Sequence, residues 1–338
     1  MQLIVFIFGI AALIFVHELG HFIAARLLNV EVEEFGFGFP PRITKLFEHK
    51  GTVFTLNWIP LGGFVRPKGE NDPNIPGGLA AASPWIRLGV LFAGPVMNLL
   101  MGVILGIILF YSLGDRVVEK VLVQSTSPGS PAAEAGLQPG DLFLSANGQA
   151  IDSMEKLQSI TGENIGKPVT FVLRRGDQTL TVNIAPRTNP PEGQGPMGVI
   201  LDNPTRPVSL LTATSRGAYA AYENVQAILL LPVRMVRGQI TPQEGRLVGY
   251  KGMFDIYQRL QSPLWFFMMI SISLGIMNLL PIPALDGGRI VMTLPEILFR
   301  RRVPMKYENA IHLVGFALLL LLLIYINLQD FINPIKLP

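Results

Sequence analysis

Long apolar runs separated by polar stretches dominate the chain. Four of them, residues 2–28, 86–113, 263–283 and 310–328, read as helices that cross a bilayer. A helix needs roughly 20 residues to pass about 30 Å of hydrocarbon. The first run has no Lys or Arg before Arg26, so it lacks the basic start of a secretory signal and is read as an uncleaved span. Residues 209–238 leave two readings open. Tyr219, Tyr222, Val225, Ile228 and Leu229 recur at helical spacing, but Glu223, Asn224 and Gln226 interrupt them. A fifth span is one reading. The polar early half favours the other, an amphipathic helix lying at the membrane surface.

Between the first two runs the pattern shortens. Residues 52–56 and 63–66 read as short strands near turn glycines. Phe35–Gly36–Phe37–Gly38–Phe39 alternates aromatic and glycine. It reads either as a bent, exposed strand or as backbone that closely approaches the membrane or a substrate. From residue 116 to 202 the chain turns polar and is punctuated by Gly and Pro, with strands expected at 121–123, 142–146, 169–174 and 180–184. Such a segment can hold one small core. Residues 189–196, rich in Pro and Gly, fit a linker or a surface loop. The organisation is then a first membrane part, 1–115, an inserted soluble domain, 116–202, a linker with the interfacial helix, 203–262, and a second membrane part, 263–338.

Composition sharpens this picture. Of 338 residues, 49% are hydrophobic and 15% charged, well below the roughly 25% usual in soluble domains. The net charge is only +3 and the basic residues do not form one stripe, which leaves no footprint for nucleic acid. They gather instead in two loops. Arg26, Arg42, Lys45, Lys50, Arg66, Lys68 and Arg87 lie in the first; Arg289, Arg300, Arg301, Arg302 and Lys306 lie between the third and fourth spans. With four spans both loops fall on one side, expected to be cytoplasmic, and the soluble domain falls outside. With five they would fall on opposite sides. There is no cysteine, so disulfides and thiolate metal sites are excluded, and any metal must be held by His, Asp, Glu or water.

His17–Glu18–Leu19–Gly20–His21 fits H-E-x-x-H. On a helix, positions i and i+4 share a face, so both imidazoles can reach one zinc while Glu18 stands beside a water that zinc makes acidic. The motif lies inside an apolar span, where each ionisable side chain costs about 2.5–3.5 kcal/mol. A metal compensates that cost; a polar cluster lining an ion path is the competing reading. A third ligand is needed, and Asp286 is the candidate. It follows Pro281–Ile282–Pro283–Ala284–Leu285, which breaks the helix, and precedes Gly287 and Gly288. His49, beside Lys50 in a polar loop, and His312, at the start of the fourth span, are read as structural or surface residues rather than ligands.

These features together resemble the site-2 protease family of intramembrane zinc metalloproteases, in its bacterial form with a single PDZ domain. The resemblance rests on H-E-x-x-H in the first span, Asn278-x-x-Pro281-x-Pro283-x-Leu285–Asp286–Gly287 in the third, and Gly94–Pro95–Val96–Met97–Asn98 in the second. It rests also on Ser130–Pro131–Ala132–Ala133–Glu134–Ala135–Gly136–Leu137, Pro139–Gly140–Asp141 and Asn147–Gly148 in the inserted domain. The resemblance implies an α-helical polytopic membrane protein of about four transmembrane helices, with a small membrane-associated β-sheet and an inserted α+β PDZ domain. It implies zinc held by His17, His21 and Asp286, Glu18 as general base, and Asn278 facing substrate. The segment 94–98 is assigned only helix packing, since small residues let helices approach.

The implied activity is peptide-bond hydrolysis in or near transmembrane segments of previously trimmed membrane proteins, such as anti-sigma factors or signal-peptide remnants, after an upstream site-1 protease. The implied setting is the bacterial inner (plasma) membrane, with the bilayer as partner and the PDZ domain outside the cytoplasm. A carboxylate-binding loop in that domain is not evident, so steric and peptide-binding roles both stand. Two other classes of function are weighed: a non-catalytic scaffold, against which the intact Glu18 speaks, and a transporter, from which zinc content distinguishes a protease.

Overall fold

The computed structural model describes residues 1–241, 245–260 and 262–334. The chain divides into two compact units, Met1–Leu109 with Leu210–Pro338, and Phe110–Ser209.

The first unit begins with α1, Gln2–Leu27, an apolar helix of 26 residues, about 39 Å long at 1.5 Å per residue. It is followed by β1, Val32–His49, and β2, Thr52–Pro67, joined at Lys50–Gly51, where both φ angles are positive, as a tight hairpin turn requires. The sequence suggests two short strands here; the structure forms two long ones that bend back on themselves. Residues 34–37 pair with 53–56 on one side and with 63–66 on the other, and 42–49 pair with 52–57. Four rungs therefore arise from two strands, and residues 63–66 form an edge.

Phe35 explains why this sheet sits on α1. It is 2% exposed and packs among Phe15 and Phe22 of α1 and Phe37 and Phe54 of the sheet. The Phe–Gly alternation is thus neither wholly exposed nor merely bent. Gly36 leaves space for the Phe64 ring, and Gly38 takes φ +77°. The buried Glu34 is satisfied by Arg42 and Arg66 at 2.7 and 2.8 Å and by the Thr55 hydroxyl at 2.9 Å, as a buried charge must be. Helix α2, Pro84–Leu113, returns alongside α1. Gly20 meets the Ala93 backbone so closely that a side chain there would not fit.

The second unit holds β3 (Asp115–Arg116), β4 (Val121–Thr126), α3 (Pro131–Glu134), β5 (Leu142–Ala146), β6 (Gln149–Ala150), α4 (Met154–Glu163), β7 (Val169–Arg175), β8 (Gln178–Ile184), β9 (Val199–Asp202) and β10 (Thr205–Arg206). The sheet order is β8-β7-β5-β4-β9, with β6 on β5 and a separate β3–β10 pair. Its core is Val121, Val123, Phe143, Phe171 and Leu173, drawn from alternate positions of the strands, together with Leu157 of α4 and their neighbours. Ser130 and Ser153 cap α3 and α4 by accepting the Ala133 and Lys156 N–H groups at 3.2 Å. Residues 189–196 are a loop within this unit, leading into β9.

The chain then re-enters the first unit with α5 (Leu210–Val236), α6 (Tyr250–Arg259), α7 (Pro263–Leu279), α8 (Asp286–Phe299) and α9 (Met305–Ile332). Helix α5 packs through Ala213, Gly217, Ala220 and Ala221; a Cβ on Gly217 would lie 2.5 Å from the Ile107 nitrogen of α2. Helices α1, α2 and α9 are long and apolar enough to cross a membrane; α7 is apolar but has 17 residues. The third run thus ends as a helix at Leu279, short of the expected Pro283, because Pro281 and Pro283 cannot continue it. Helices α6 and α8 occupy stretches expected as linker and loop. Tyr257 of α6 packs with Phe6, Phe254 and Phe266.

The two basic loops touch. Arg87 pairs with Glu296, Arg289 pairs with Glu70, and Arg302 donates to the Ala80 carbonyl at 2.6 Å.

Candidate metal centre

His17 and His21 sit one turn apart on α1, as i and i+4 spacing demands, with Nε2 atoms 3.1 Å apart. The Asp286 Oδ2 atom lies 3.0 Å from His17 Nε2 and 3.4 Å from His21 Nε2. Residues separated by more than 260 positions thus present one ligand atom each to a common point. They form a three-residue metal-binding group found among the described residues.

Asp286 arrives there because the chain between α7 and α8 is folded tightly. The Ile282 N–H donates to the Leu280 carbonyl at 2.7 Å, and Ala284 takes φ +76°. A Cβ on Gly288 would lie 2.5 Å from the Ile282 carbonyl oxygen, and Gly287 is equally close to the backbone of Leu279 and Leu280. Only glycine permits this approach. Asp286 then opens α8, rather than closing the helix before it.

The neighbours of the ligands orient them. His21 Nδ1 bonds to the Val90 carbonyl at 2.8 Å. The carbonyl can only accept, so Nδ1 carries the hydrogen and Nε2 keeps a free lone pair. The Asn98 side-chain amide lies 3.3 Å from His17 Nδ1; with its oxygen, which is otherwise buried without a partner among the described residues, turned to that nitrogen, it accepts the Nδ1 hydrogen and leaves His17 Nε2 free. Gly94 lies beneath both rings; a Cβ there would be 2.8 Å from His17 Nε2. Asn98 is fully buried, and its contact with His17 goes beyond the packing role that the sequence suggests. A polar residue in a run of small and apolar ones carries little signal of its own. The sequence shows only that an amide stands within an apolar span, which does not say what it touches.

Glu18 points into the same cavity, and its Oε2 accepts the Val65 N–H at 3.1 Å. Val65 belongs to the sheet edge 63–66, so the edge of β2 and the carboxylate between the histidines are one structure. Asn278 also lines this cavity of about 310 Å³, with its Nδ2 donating to the Leu274 carbonyl at 2.9 Å. The other sequence histidines lie apart from the three ligand atoms. His49 ends β1 and is exposed, and His312 Nδ1 accepts the Ala284 N–H at 2.9 Å.

The geometry fits a zinc ion. Metal–ligand distances near 2.1 Å in a tetrahedron place ligand atoms about 3.4 Å apart, close to the three separations here. Asp286 Oδ2 is buried, and among the described residues no group hydrogen-bonds to it beyond the facing imidazoles. Lone pairs converging on one buried point need a cation.

Comparison with known proteins agrees with the motifs. Residues 5–322 match Peptidase family M50. The chain is 34% identical to a candidate zinc metalloprotease of Clostridium perfringens, over 99% of this chain and 100% of that one. It is also 34% identical to one of Campylobacter jejuni, over 95% of this chain and 90% of that one. Among solved structures, the PDZ domain of an SdrC-like protein from Listeria monocytogenes covers 25% of this chain and 87% of that one, at 26% identity and a TM-score of 0.22.

Proposed function

The chain belongs to Peptidase family M50, and from that premise we propose that this zinc metalloprotease cuts peptide bonds in or near the transmembrane segments of membrane proteins already trimmed by an upstream site-1 protease. Anti-sigma factors and signal-peptide remnants are the substrate class. The observation that carries the reading is a hydrolytic set, Glu18 with His17, His21 and Asp286, built on the apolar helix α1 and on the start of α8, just beyond the apolar helix α7.

His17, His21 and Asp286 hold the zinc, which supplies Lewis acidity toward a carbonyl and an attacking water. Glu18 moves the proton. Its Oε2 is occupied by the Val65 N–H, which leaves Oε1 to take a proton from the water and return it to the leaving nitrogen. Water adds across the peptide bond, giving a carboxylate and an amine. Asn278, on the cavity wall, offers its amide to the substrate backbone. The edge 63–66 offers what an unwound segment needs: an extended partner for backbone groups that lipid cannot satisfy.

The inserted unit is a PDZ domain with a peptide-recruiting role. Its β9 is an edge strand, and an apolar groove of about 270 Å³ lies between β9 and α4, walled by Leu157, Thr161, Met197 and Val199. A free peptide end can add to β9 there. The protein is a multi-pass protein of the inner membrane with four crossings, α1, α2, α7 and α9, and with the PDZ domain outside the cytoplasm.

The test is Glu18→Gln in purified full-length protein with a single-span substrate. Zinc is retained, because the three ligands are untouched, and cleavage falls about 10²- to 10⁴-fold. Retained zinc with near-normal cleavage would remove Glu18 from the mechanism. Wild-type protein that carries no zinc would favour an ion pathway instead.

A further inference from the structure

We propose that His312 is a positioning residue for Asp286: by accepting the Ala284 N–H it fixes the loop that delivers the third ligand, and so couples the seating of α9 to metal affinity. The inference rests on the reading of Asp286 as a zinc ligand. It concerns a residue outside the family motifs, 26 positions beyond that ligand and on a different helix.

The need for such a residue follows from how Asp286 is held. Carboxylates that bind metals are usually oriented by hydrogen bonds from neighbouring groups. Here the buried Oδ2 has no partner among the described residues beyond the two imidazoles, and α8 has no side-chain cap at its start. The backbone alone therefore sets where the carboxylate stands. That backbone is not a relaxed one. Ala284, two residues earlier, takes φ +76°, a left-handed conformation that a non-glycine residue rarely adopts. Something outside the loop must hold it.

The structure identifies the holder as the first turns of α9. His312 Nδ1 accepts the Ala284 N–H at 2.9 Å. One turn on, Gly315 lets α9 lie directly on Pro283; a Cβ there would lie 2.9 Å from the Pro283 carbonyl oxygen. The loop is thus gripped at two consecutive residues by a hydrogen bond and a close contact. Since Nδ1 accepts, Nε2 carries the hydrogen, and it is buried with no partner among the described residues. The ring keeps a buried donor unsatisfied, an arrangement that ordinarily disfavours a residue. It makes one hydrogen bond, and that bond goes to the loop carrying Asp286.

The test compares full-length protein and its variants in detergent, with zinc as the probe. Zinc retention is measured against graded chelator, and the visible spectrum of the cobalt-substituted protein reports the ligand set. His312→Asn keeps an acceptor near the Nδ1 position, His312→Phe keeps the bulk without it, and His312→Ala keeps neither. Expected are a loss of zinc affinity on the order of 10- to 100-fold in the Phe and Ala variants, an altered cobalt spectrum in both, and recovery of most of the affinity in the Asn variant. Should the Phe variant fail to fold, the contrast between Ala and Asn decides. Equal zinc affinity across the variants and wild type, while Asp286→Ala loses the metal, overturns the positioning role. If Asp286→Ala itself holds zinc as wild type does, the ligand reading fails instead.

Discussion

At the scale of single residues, the centre depends on which nitrogen of each imidazole is free. His21 is settled by the Val90 carbonyl, whereas His17 relies on the Asn98 amide 3.3 Å away, whose oxygen must accept the Nδ1 hydrogen if Nε2 is to be free. Asn98→Ala removes that partner from a fully buried site and should lower zinc affinity by roughly 10- to 100-fold. Asn98→Asp puts a carboxylate on His17 Nδ1, which raises the basicity of the ligating nitrogen, so it should hold zinc more tightly than the Ala variant. Chelator competition on the purified variants checks the order; wild-type affinity in both variants would deny Asn98 any influence on the ligand. The same residues show what sequence reading can reach. His17, Glu18 and His21 are legible because helical spacing alone puts them on one face. Asp286 is legible because two prolines and two glycines announce an unusual turn. Asn98, Val65 and His312 are not, because each acts through one contact with a residue 28 to 81 positions away. No local pattern encodes such a contact.

At the scale of elements, strands of the inserted unit stand where the alternation of apolar residues puts them, while the β1–β2 sheet does not. Its bends and register shifts let one strand pair on both sides, and a period of two says nothing about that. Helix α8 is masked in the sequence by the two glycines that open it, by Arg289 and by Pro295. Within the inserted unit, β5 and β7 are tied by a charge pair with a pH signature. Asp141 is fully buried, and Arg175 donates to both its oxygens at 2.7 Å. Burial alone would raise the Asp141 carboxyl, but the Arg175 bonds and the Gln138 N–H outweigh it and hold it below the usual carboxylate range. A depressed folded-state value means the stabilisation is complete above the unfolded value, about 3.9, and is lost as pH falls through the folded one. Hydrogen exchange on the full chain should show β5 and β7 amides opening on the order of tenfold more readily in Asp141→Asn than in wild type at neutral pH. The difference should close as the pH drops below the folded value. A gap that persists unchanged into strong acid would show that the side chain acts by shape and not by charge.

At the scale of the whole molecule, helix direction within the first unit bears on how the chain threads the membrane. Phe6 meets Phe266 near the starts of α1 and α7, with ring centroids 5.8 Å apart, and His17 meets Asp286 beyond the end of α7. These two helices therefore run parallel. Between them α2 runs the other way, since Asn98 bonds Ser271 while Gly106, further along, meets Met268. In the proposed threading, one crossing down, one up and one down accounts for α1, α2 and α7. A full crossing by α5 would reverse α7 and carry Asp286 away from the histidines. This supports the surface reading of α5 independently of charge. In the proposed threading charge sets the sides: the ion pairs Arg87–Glu296 and Arg289–Glu70 join the two basic loops, and short basic loops favour the cytoplasmic side. The chain has no cysteine, so single cysteines can be read without background. Placed at the exposed positions Thr44 and Arg301, they should resist a membrane-impermeant thiol reagent added outside intact cells, and react once the membrane is opened. At Asp177, exposed in the turn between β7 and β8, a cysteine should react from outside at once. Labelling of Thr44→Cys and Arg301→Cys from opposite sides would mean that α5 crosses, and the parallel placement of α1 and α7 could not stand. Labelling of both from outside, with Asp177→Cys protected, would keep the four crossings and invert the chain, leaving the helix-direction argument intact and the charge argument wrong.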